Sequence, residues 1–264
     1  MSSRKIYSMS SGEFPFGRDK FEHYAHRNGY MVRRKRSFTK TTYPLKVGAV
    51  PNLIEGVLVN SPNQIYQSDI FYMKVGNQTM YGFVIMDIYT KELLVLHEAN
   101  NMYATELNIA LKKLIHKIGS SKVRGAIFHS DRGSQYGDAH FITLCNKYGL
   151  KRSMGKRSQQ NAYAERVQGT IQHEYLFEME IDASNLHQKL AKIARLYNEE
   201  RPHNSLGGMT PKGFKQQMSK VELKNRPEMQ VYQWTEPILT KDMLFNKKEK
   251  SSKKEKTLQQ NQLV

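Results

Sequence analysis

Residues 125–136 read GAIFHSDRGSQY, a short apolar run that ends in an aspartate among small polar residues. Such a run, bounded by turn-forming residues, predicts a buried strand over 125–130 with Asp131 at its end. A carboxylate in that position suits a turn former, a catalytic acid or a metal ligand. The neighbouring His129, Ser130 and Asp131 do not form a hydrolase triad, because consecutive strand residues point to opposite faces.

Three β-rich runs at 64–73, 79–88 and 92–99 precede this stretch and predict an antiparallel meander. Residues 104–118 then repeat apolar side chains with the period of an amphipathic helix. A strand reached through such a crossover returns to the same sheet, and the crossover is right-handed. The strand at 125–130 can therefore pair beside the first run, which would place Asp69 and Asp131 on neighbouring strands.

The rest of the sequence predicts an α/β fold, with a mixed five-stranded sheet and flanking helices. A helix at 139–148, a short strand at 150–153 and helices from about Ala162 and Asn185 follow, and Thr210-Pro211 opens a last short helix. We predict a basic helical N-terminal segment and linker over 1–50, with helices at 4–9 and 18–28. We predict a catalytic core over 51–218 and a C-terminal extension over 219–264, whose charged segment 246–256 is predicted to be disordered.

Composition limits the class of protein. The 264 residues carry a formal charge of +17, which favours a polyanionic partner such as DNA, although a ribosome-associated basic protein shares this property. The single cysteine, Cys145, excludes an internal disulfide and a cysteine-rich zinc module, as in proteins of the reducing cytoplasm. No apolar stretch approaches the ~20 residues of a membrane span, and no signal peptide is evident. We therefore expect a soluble cytoplasmic protein without a membrane partner.

Paired carboxylates point to metal chemistry. Asp69 and Asp131 would repel each other on adjacent strands, and a divalent cation removes that conflict. Oxygen ligands select Mg²⁺ or Mn²⁺, and two such ions can assist in-line attack on a phosphodiester. Glu165 is the candidate third ligand, because it lies off the apolar stripe of its predicted helix. Asp87, also on a predicted strand, is interpreted as structural or turn-forming.

Four motifs occur in this order: SDIFY at 68–72, HSDRGSQY at 129–136, QNAYAE at 160–165 and YNEERPHNSL at 197–206. Together they resemble the integrase core of bacterial insertion-sequence transposases of the IS-three family, specifically its second-frame product. The resemblance spans residues 51–214, and RKRSFTKTTY at 34–43 also looks like the family's leader.

This resemblance implies a ribonuclease-H-like fold with an Asp-Asp-Glu site at Asp69, Asp131 and Glu165 that binds two Mg²⁺ or Mn²⁺ ions. It implies DNA cleavage and strand transfer, with element ends and target DNA as substrates. It also implies a homo-oligomer and an upstream helix-turn-helix frame product as a partner.

The sequence departs from the family pattern at several positions. Tyr66 stands where the family has Trp, Phe71 where it has Thr, and Gln172 where a helix lysine is expected. The interval between Asp131 and Glu165 holds 33 residues, two fewer than is usual. These departures leave open an alternative, a catalytically weakened or domesticated DNA-binding protein of the same fold.

Basic residues supply the candidate DNA contacts. We predict phosphate contacts rather than base recognition for Arg33, Arg34, Lys35, Arg36, Lys156 and Arg157. Arg201 and His203 follow a predicted helix, so they either flank the active site, as the resemblance implies, or form a basic cluster favoured by the helix dipole. His129 is interpreted as a packing residue or as a support for the ligands, and Ser134, Gln135 and Tyr136 as residues that shape the loop beside them.

Overall fold

The structure, a computed structural model, describes residues 3–10, 13–30, 50–155 and 158–232. The strands in these ranges are β1 Leu58–Val59, β2 Ile65–Val75, β3 Gln78–Asp87, β4 Leu93–Ala99, β5 Ile127–Ser130, β6 Lys151–Met154 and β7 Met229–Gln230. The α-helices are α1 Ser3–Met9, α2 Arg18–Arg27, α3 Ala104–Ile118, α4 Ser120–Val123, α5 Ala139–Tyr148, α6 Ala162–Thr170, α7 Leu186–Glu199 and α8 Pro211–Ser219.

Five strands form the central sheet in the order β4-β3-β2-β5-β6. The β2–β3 and β3–β4 pairs are antiparallel, as the predicted meander requires, whereas β2–β5 and β5–β6 are parallel. The chain passes from the edge strand β4 through α3 to β5, which lies beside β2 on the far side of the meander. The predicted mixed five-stranded sheet is confirmed, and β2 lies at its centre.

Helices cover both faces of this sheet. Helices α3 and α5 pack on one face, where Leu111 of α3 and Phe83 of β3 belong to one apolar cluster. Helices α6 and α7 pack on the other, where Val167 of α6 and Val84 of β3 belong to a second cluster. Phe83 and Val84 lie on opposite faces because consecutive strand side chains alternate. The burial of both faces explains why these strands contain few exposed residues.

The segment after α8 packs onto the core. Strand β7 pairs antiparallel with β1, and Val231 is fully buried in a third apolar cluster with Ile54 and Phe214. Residues 219–232 are thus attached to the body of the protein, beyond the predicted core boundary at 218. Both predicted capping residues are as expected, since Thr210 accepts a hydrogen bond from the backbone N–H of Gly213 and Pro211 begins α8.

Most predicted elements differ from the observed ones by two residues or fewer at each end. The helix predicted from Ala162 differs more, because regular α-helix ends at Thr170 and a π-helical turn, Ile171–Tyr175, continues it. Periodicity in the sequence does not indicate such a turn. The predicted disordered segment 246–256 lies outside the described residues.

Asp87 is structural, as predicted. Its side chain is buried and accepts hydrogen bonds from the backbone N–H groups of Asn63 and Thr90, both at 2.7 Å, and from the Thr90 hydroxyl at 2.8 Å. Burial raises the pKa of this carboxyl, whereas the hydrogen bonds from Thr90 and Asn63 act in the opposite direction. Asp87, the last residue of β3, therefore connects the loop before β2 to the β3–β4 turn.

A glycine in β3 makes room for an aromatic ring. Gly82 pairs with Phe71 across the β2–β3 ladder, and a Cβ at position 82 would overlap the Phe71 ring. We expect Gly82→Ala to lower the free energy of unfolding by about 1–3 kcal/mol, because the ring must leave its site. Urea denaturation measures this loss. Gly82→Ala combined with Phe71→Leu should be more stable than Gly82→Ala alone, and equal stability would contradict the steric explanation.

Candidate active site

Two aspartates lie near each other where β5 ends beside the central strand β2. The parallel β2–β5 ladder pairs Gln67 with His129. Asp69 follows Gln67 by two residues on β2, so its side chain projects from the same face. Asp131 follows His129 by two residues, just beyond the end of β5, and after burial its charge is the main cause that raises the pKa of Asp69, so the two carboxylates are near each other. Phe71, the next residue of β2 on the face of Asp69, packs in the apolar cluster with α6, so Asp69 faces α6.

Glu165 lies in the first turn of α6, on the side of the helix away from its buried residues. Burial raises the pKa of Asp69 well above its usual range, and the charges of Asp131 and Glu165 raise it further. Burial and then Asp131 also raise the pKa of Glu165. The three carboxylates therefore share one electrostatic site, in which each negative charge makes the next less favourable.

The donor set of this site suits a hard divalent cation. Carboxylate oxygens are the ligands that Mg²⁺ and Mn²⁺ prefer, and a cation would relieve the repulsion between the two strand aspartates. Within the described ranges, no three His, Cys, Asp or Glu side chains are grouped closely enough to hold a metal ion. The structure thus brings the predicted ligands into one region without forming a closed coordination cage.

The loop after β5 fixes Asp131. The backbone N–H of Gly133 donates to Asp131 Oδ1 at 3.0 Å, and the Ser130 hydroxyl donates to the Asp131 carbonyl at 2.9 Å. A 3₁₀ turn, Ser134–Gly137, follows, and the buried Tyr136 hydroxyl lies 3.0 Å from Ser68 Oγ. Because Ser68 precedes Asp69, Tyr136 connects this loop to the strand of the first aspartate.

His129 lies behind the carboxylates in the protein interior. Its Nε2 donates to the Gln160 carbonyl at 3.0 Å, and its Nδ1 lies 2.8 Å from Ser153 Oγ. Burial lowers the pKa of His129 to about 4, so the ring is neutral at physiological pH. A neutral ring that donates from Nε2 accepts from Ser153 at Nδ1. His129 is therefore a packing residue, consistent with its interpretation from the sequence.

The residues that hold α6 against the sheet were not predicted from the sequence. Gln67, fully buried on β2, accepts from the Ala164 backbone N–H at 3.0 Å and donates to the Gln160 carbonyl at 3.1 Å. Asn161 donates to the Ser68 carbonyl at 3.1 Å. The available signal was a glutamine on a central strand, where an unpaired polar side chain is costly.

The residues that depart from the family pattern lie in or near the core. The fully buried Tyr66 donates its hydroxyl to Asn63 at 3.1 Å, and Phe71 is buried between β3 and α6. Gln172 donates from Nε2 to the Tyr72 carbonyl at 2.7 Å, which ties the π-helical turn to β2. Gln172 thus makes an internal contact at the position where a lysine was expected.

Arg201 and His203 occupy the predicted loop after α7, but both point inward. Arg201 is 6% exposed and forms a two-pronged ion pair with Glu174, with donor–acceptor distances of 2.9 and 2.8 Å. The centroid of the His203 ring lies 5.0 Å from the centroid of the Tyr197 ring. Their predicted DNA contacts stay predictions. Arg33, Arg34, Lys35, Arg36, Lys156 and Arg157 lie outside the described residues.

Acid should destabilise the protein partly through His203. Burial and then the charge of Arg201 lower the pKa of His203 to about 3, and its buried Nε2 has no hydrogen-bond partner among the described residues. The unfolded chain binds this proton near pH 6.5 and the folded one only near pH 3, so stability should fall as the pH decreases between these values. Urea denaturation at several pH values measures the decline.

His203→Phe provides the control, because it keeps an aromatic ring beside Tyr197 and removes the titrating group. The raised pKa values of Asp69 and Asp87 act in the opposite direction, but they are common to both proteins and cancel in the comparison. The decline between pH 6.5 and 3 should be shallower in His203→Phe. Identical declines would exclude His203 as a source of acid sensitivity.

Within the described part of the chain, no helix has both the length and the apolar character needed to cross a lipid bilayer.

Comparisons with known proteins agree with this architecture. Two family models, both described as integrase core domain, match residues 59–159 and 147–211, which together span more than half of the chain. In the simian T-cell lymphotropic virus intasome, seen by cryo-electron microscopy with a PP2A regulatory subunit, one chain superposes with a TM-score of 0.55 at 16% identity. The match covers 89% of this chain and 81% of that one, and it shows a common fold.

Sequence relatives come from insertion elements. The chain is 29% identical over 209 residues to an uncharacterized 31 kDa protein of insertion element IS600 from Shigella sonnei, a match covering 76% of this chain and 75% of that protein. It is 25% identical over 199 residues to transposase InsF of insertion sequence IS3A from Escherichia coli, covering 71% and 67% of the two chains. The chain therefore belongs to the IS-three family of insertion-sequence transposases with an integrase core, and its function is DNA transposition.

Proposed function

We propose that Asp69, Asp131 and Glu165 hold two divalent cations, Mg²⁺ or Mn²⁺, and that the chain uses them to cut DNA at element ends and to join the freed ends to a target. One observation carries this proposal. Two aspartates follow paired residues of adjacent parallel strands, and burial and then the charges of Asp131 and Glu165 raise the pKa of Asp69. A shared divalent cation would relieve this repulsion and keep the carboxylates ionised.

Each of the three carboxylates would have a separate role in holding the cations. Bound cations would activate an attacking water or 3′-hydroxyl and stabilise the leaving oxygen at the phosphodiester. Asp69 on β2 and Asp131 immediately after β5 would hold the cations at a constant position relative to the sheet. Glu165 would approach from α6, so its position depends on how that helix is held. The Gly133 backbone N–H directs Asp131 Oδ1.

Positive charge would bring DNA to this site. The formal charge of +17 favours binding to phosphates independently of sequence. We propose that the basic residues Arg33, Arg34, Lys35, Arg36, Lys156 and Arg157 contact phosphates. We also propose that several copies of the chain act together on two element ends, and that an upstream helix-turn-helix frame product contributes to recognition of the ends. These proposals follow from the family resemblance and the charge.

A cleavage assay with labelled element ends tests the proposal. The chain, alone and fused to the upstream frame, is incubated with this DNA in Mg²⁺, in Mn²⁺ and in EDTA. We expect new 3′ ends and joined products with either metal and neither product in EDTA. Cleavage without joining would indicate a nuclease of the same fold. Binding without cleavage in every condition would support the alternative of a DNA-binding relic and overturn the proposal.

A further inference from the structure

The helix that carries Glu165 begins without a cap of its own. Asn161, at the N-cap position of α6, makes no side-chain hydrogen bond to the first turn, and its amide donates to Ser68 on β2 instead. The first N–H groups of a helix have no partner within the helix. When such groups are buried, other acceptors must satisfy them, because an unpaired buried N–H destabilises the fold.

Two distant side chains supply these acceptors. Ala164 donates its backbone N–H to Gln67 Oε1 at 3.0 Å, and Tyr163 donates its backbone N–H to the Tyr232 hydroxyl oxygen at 3.0 Å. Gln67 belongs to the central strand and Tyr232 follows β7, so neither residue is near α6 in the sequence. The start of α6 is thus capped by the sheet on one side and by the C-terminal segment on the other.

Gln67 links this cap directly to the carboxylates. It lies two residues before Asp69 on the same face of β2, and its acceptor oxygen holds Ala164, the residue immediately before Glu165. Its amide nitrogen donates to the Gln160 carbonyl, which also accepts from His129, two residues before Asp131. One buried amide therefore couples the strands of both aspartates to the helix of the glutamate.

Tyr232 also has contacts beyond its hydrogen bond to the start of α6. The Gln67 side chain also acts on the Tyr232 hydroxyl, where it opposes the burial that raises the pKa of this phenol, so the hydroxyl lies near the strand as well as the helix. The Tyr232 ring packs against the Tyr163 ring at a tilt of 35° with a centroid distance of 4.8 Å, and the Lys91 ammonium lies 3.7 Å from the centroid of the Tyr163 ring on α6. These contacts fix the orientation of the first turn as well as its distance from the sheet.

We propose that Gln67 and Tyr232 are positioning residues that set the location of Glu165 relative to Asp69 and Asp131. The inference rests on the proposed function, in which these three carboxylates hold the cations. It assigns a role in the reaction to the C-terminal segment at 229–232, which lies outside the predicted catalytic core.

Tyr232→Phe tests this role with the smallest possible change, because it keeps the ring on Tyr163 and removes only the hydroxyl. We expect the Mn²⁺ concentration that gives half-maximal DNA cleavage to rise about 10-fold, as when groups that orient metal ligands are removed. DNA affinity, measured without metal, should be unchanged. Gln67→Met removes the linking amide at similar volume and should have a larger effect of the same kind.

Tyr89→Phe is the matched control. The Tyr89 hydroxyl donates to the Pro227 carbonyl at 3.2 Å, so this variant also loses a phenol contact with the C-terminal segment, but the lost hydrogen bond is not with α6. Its metal dependence should equal that of the wild type. If Tyr89→Phe shifts the metal dependence as much as Tyr232→Phe does, the effect reflects general loosening of the segment, and the proposed role is wrong.

Hydrogen exchange of the metal-free protein supplies a readout independent of activity. The amides of Tyr163 and Ala164 should exchange faster in Tyr232→Phe and Gln67→Met, respectively, and at the wild-type rate in Tyr89→Phe. If the wild type cleaves DNA and Tyr232→Phe shows the same metal dependence, the positioning role is wrong. A wild type that never cleaves would instead overturn the proposed function, and unchanged exchange rates would disprove the cap itself.

Discussion

Asp131→Asn is expected to abolish DNA cleavage and joining while DNA binding is retained. The change replaces one charged oxygen with an amide and keeps an acceptor for the Gly133 N–H. We expect the cleavage rate to fall by roughly 10²-fold or more, because the cations at the reacting phosphate lose a ligand. Single-turnover cleavage of labelled element ends in Mg²⁺ measures the loss, and a filter-binding titration measures DNA affinity.

The same variant should be more stable than the wild type when no metal is present. The negative charge of Asp131 raises the pKa of the partly buried Asp69, so its removal relieves repulsion in the folded state. Thermal unfolding in EDTA reports the sign of this change. Active sites commonly trade stability for function in this way.

Asp138→Asn is the matched control for this prediction. Asp138 caps α5, where its Oδ1 accepts from the backbone N–H groups of His140 and Phe141, and an asparagine oxygen can do the same. Cleavage by this variant should equal that of the wild type. If Asp131→Asn cleaves DNA as fast as Asp138→Asn does, Asp131 is not a ligand of the reacting cations.

Arg201→Ala is expected to reduce the free energy of unfolding by about 3–5 kcal/mol. The guanidinium is buried and paired in two places with Glu174, so its removal leaves a mostly buried carboxylate without its main counter-charge. The Arg201 charge and hydrogen bond hold the pKa of Glu174 below its usual range, and that effect would be lost. Urea denaturation of both proteins at pH 7 measures the difference.

Two comparisons separate this structural role from the predicted DNA contact. Arg201→Lys keeps the charge but cannot form the two-pronged pair, so it should be less stable than the wild type. A direct phosphate contact predicts that Arg201→Ala also lowers the salt dependence of DNA binding by about one charge. We expect an unchanged salt dependence in the folded variant, and a reduced one would show that Arg201 reaches DNA.

Local signals predicted the regular elements accurately. The bounds of α3 and α5 match the predictions because each helix has a strong apolar period. In addition, Asp138 caps the start of α5 and Gly149 immediately follows its end. Gly149 adopts a left-handed conformation with φ of 69°, which glycine tolerates better than other residues. These signals depend on neighbouring residues only, so the sequence displays them directly.

The carboxylate site was predictable only in part. The order of strands and the crossover rule were sufficient to put Asp69 and Asp131 on adjacent strands. Glu165 gave a weaker signal, its position off the apolar stripe of the predicted helix. Because an exposed glutamate on a helix is common in any protein, its assignment rested mainly on the family resemblance. Its electrostatic coupling to both aspartates depends on how α6 lies against the sheet.

The sequence by itself determined the order of elements, the central position of β2 and the neighbouring aspartates, because periodicity and chain connectivity encode them. Only the tertiary structure decided that Arg201 is buried against Glu174, and that Gln67 and Tyr232 cap the helix of Glu165. These contacts join residues tens of positions apart, without any repeating spacing. They depend on the packing of whole elements, and a polar residue alone does not reveal which distant group will satisfy it.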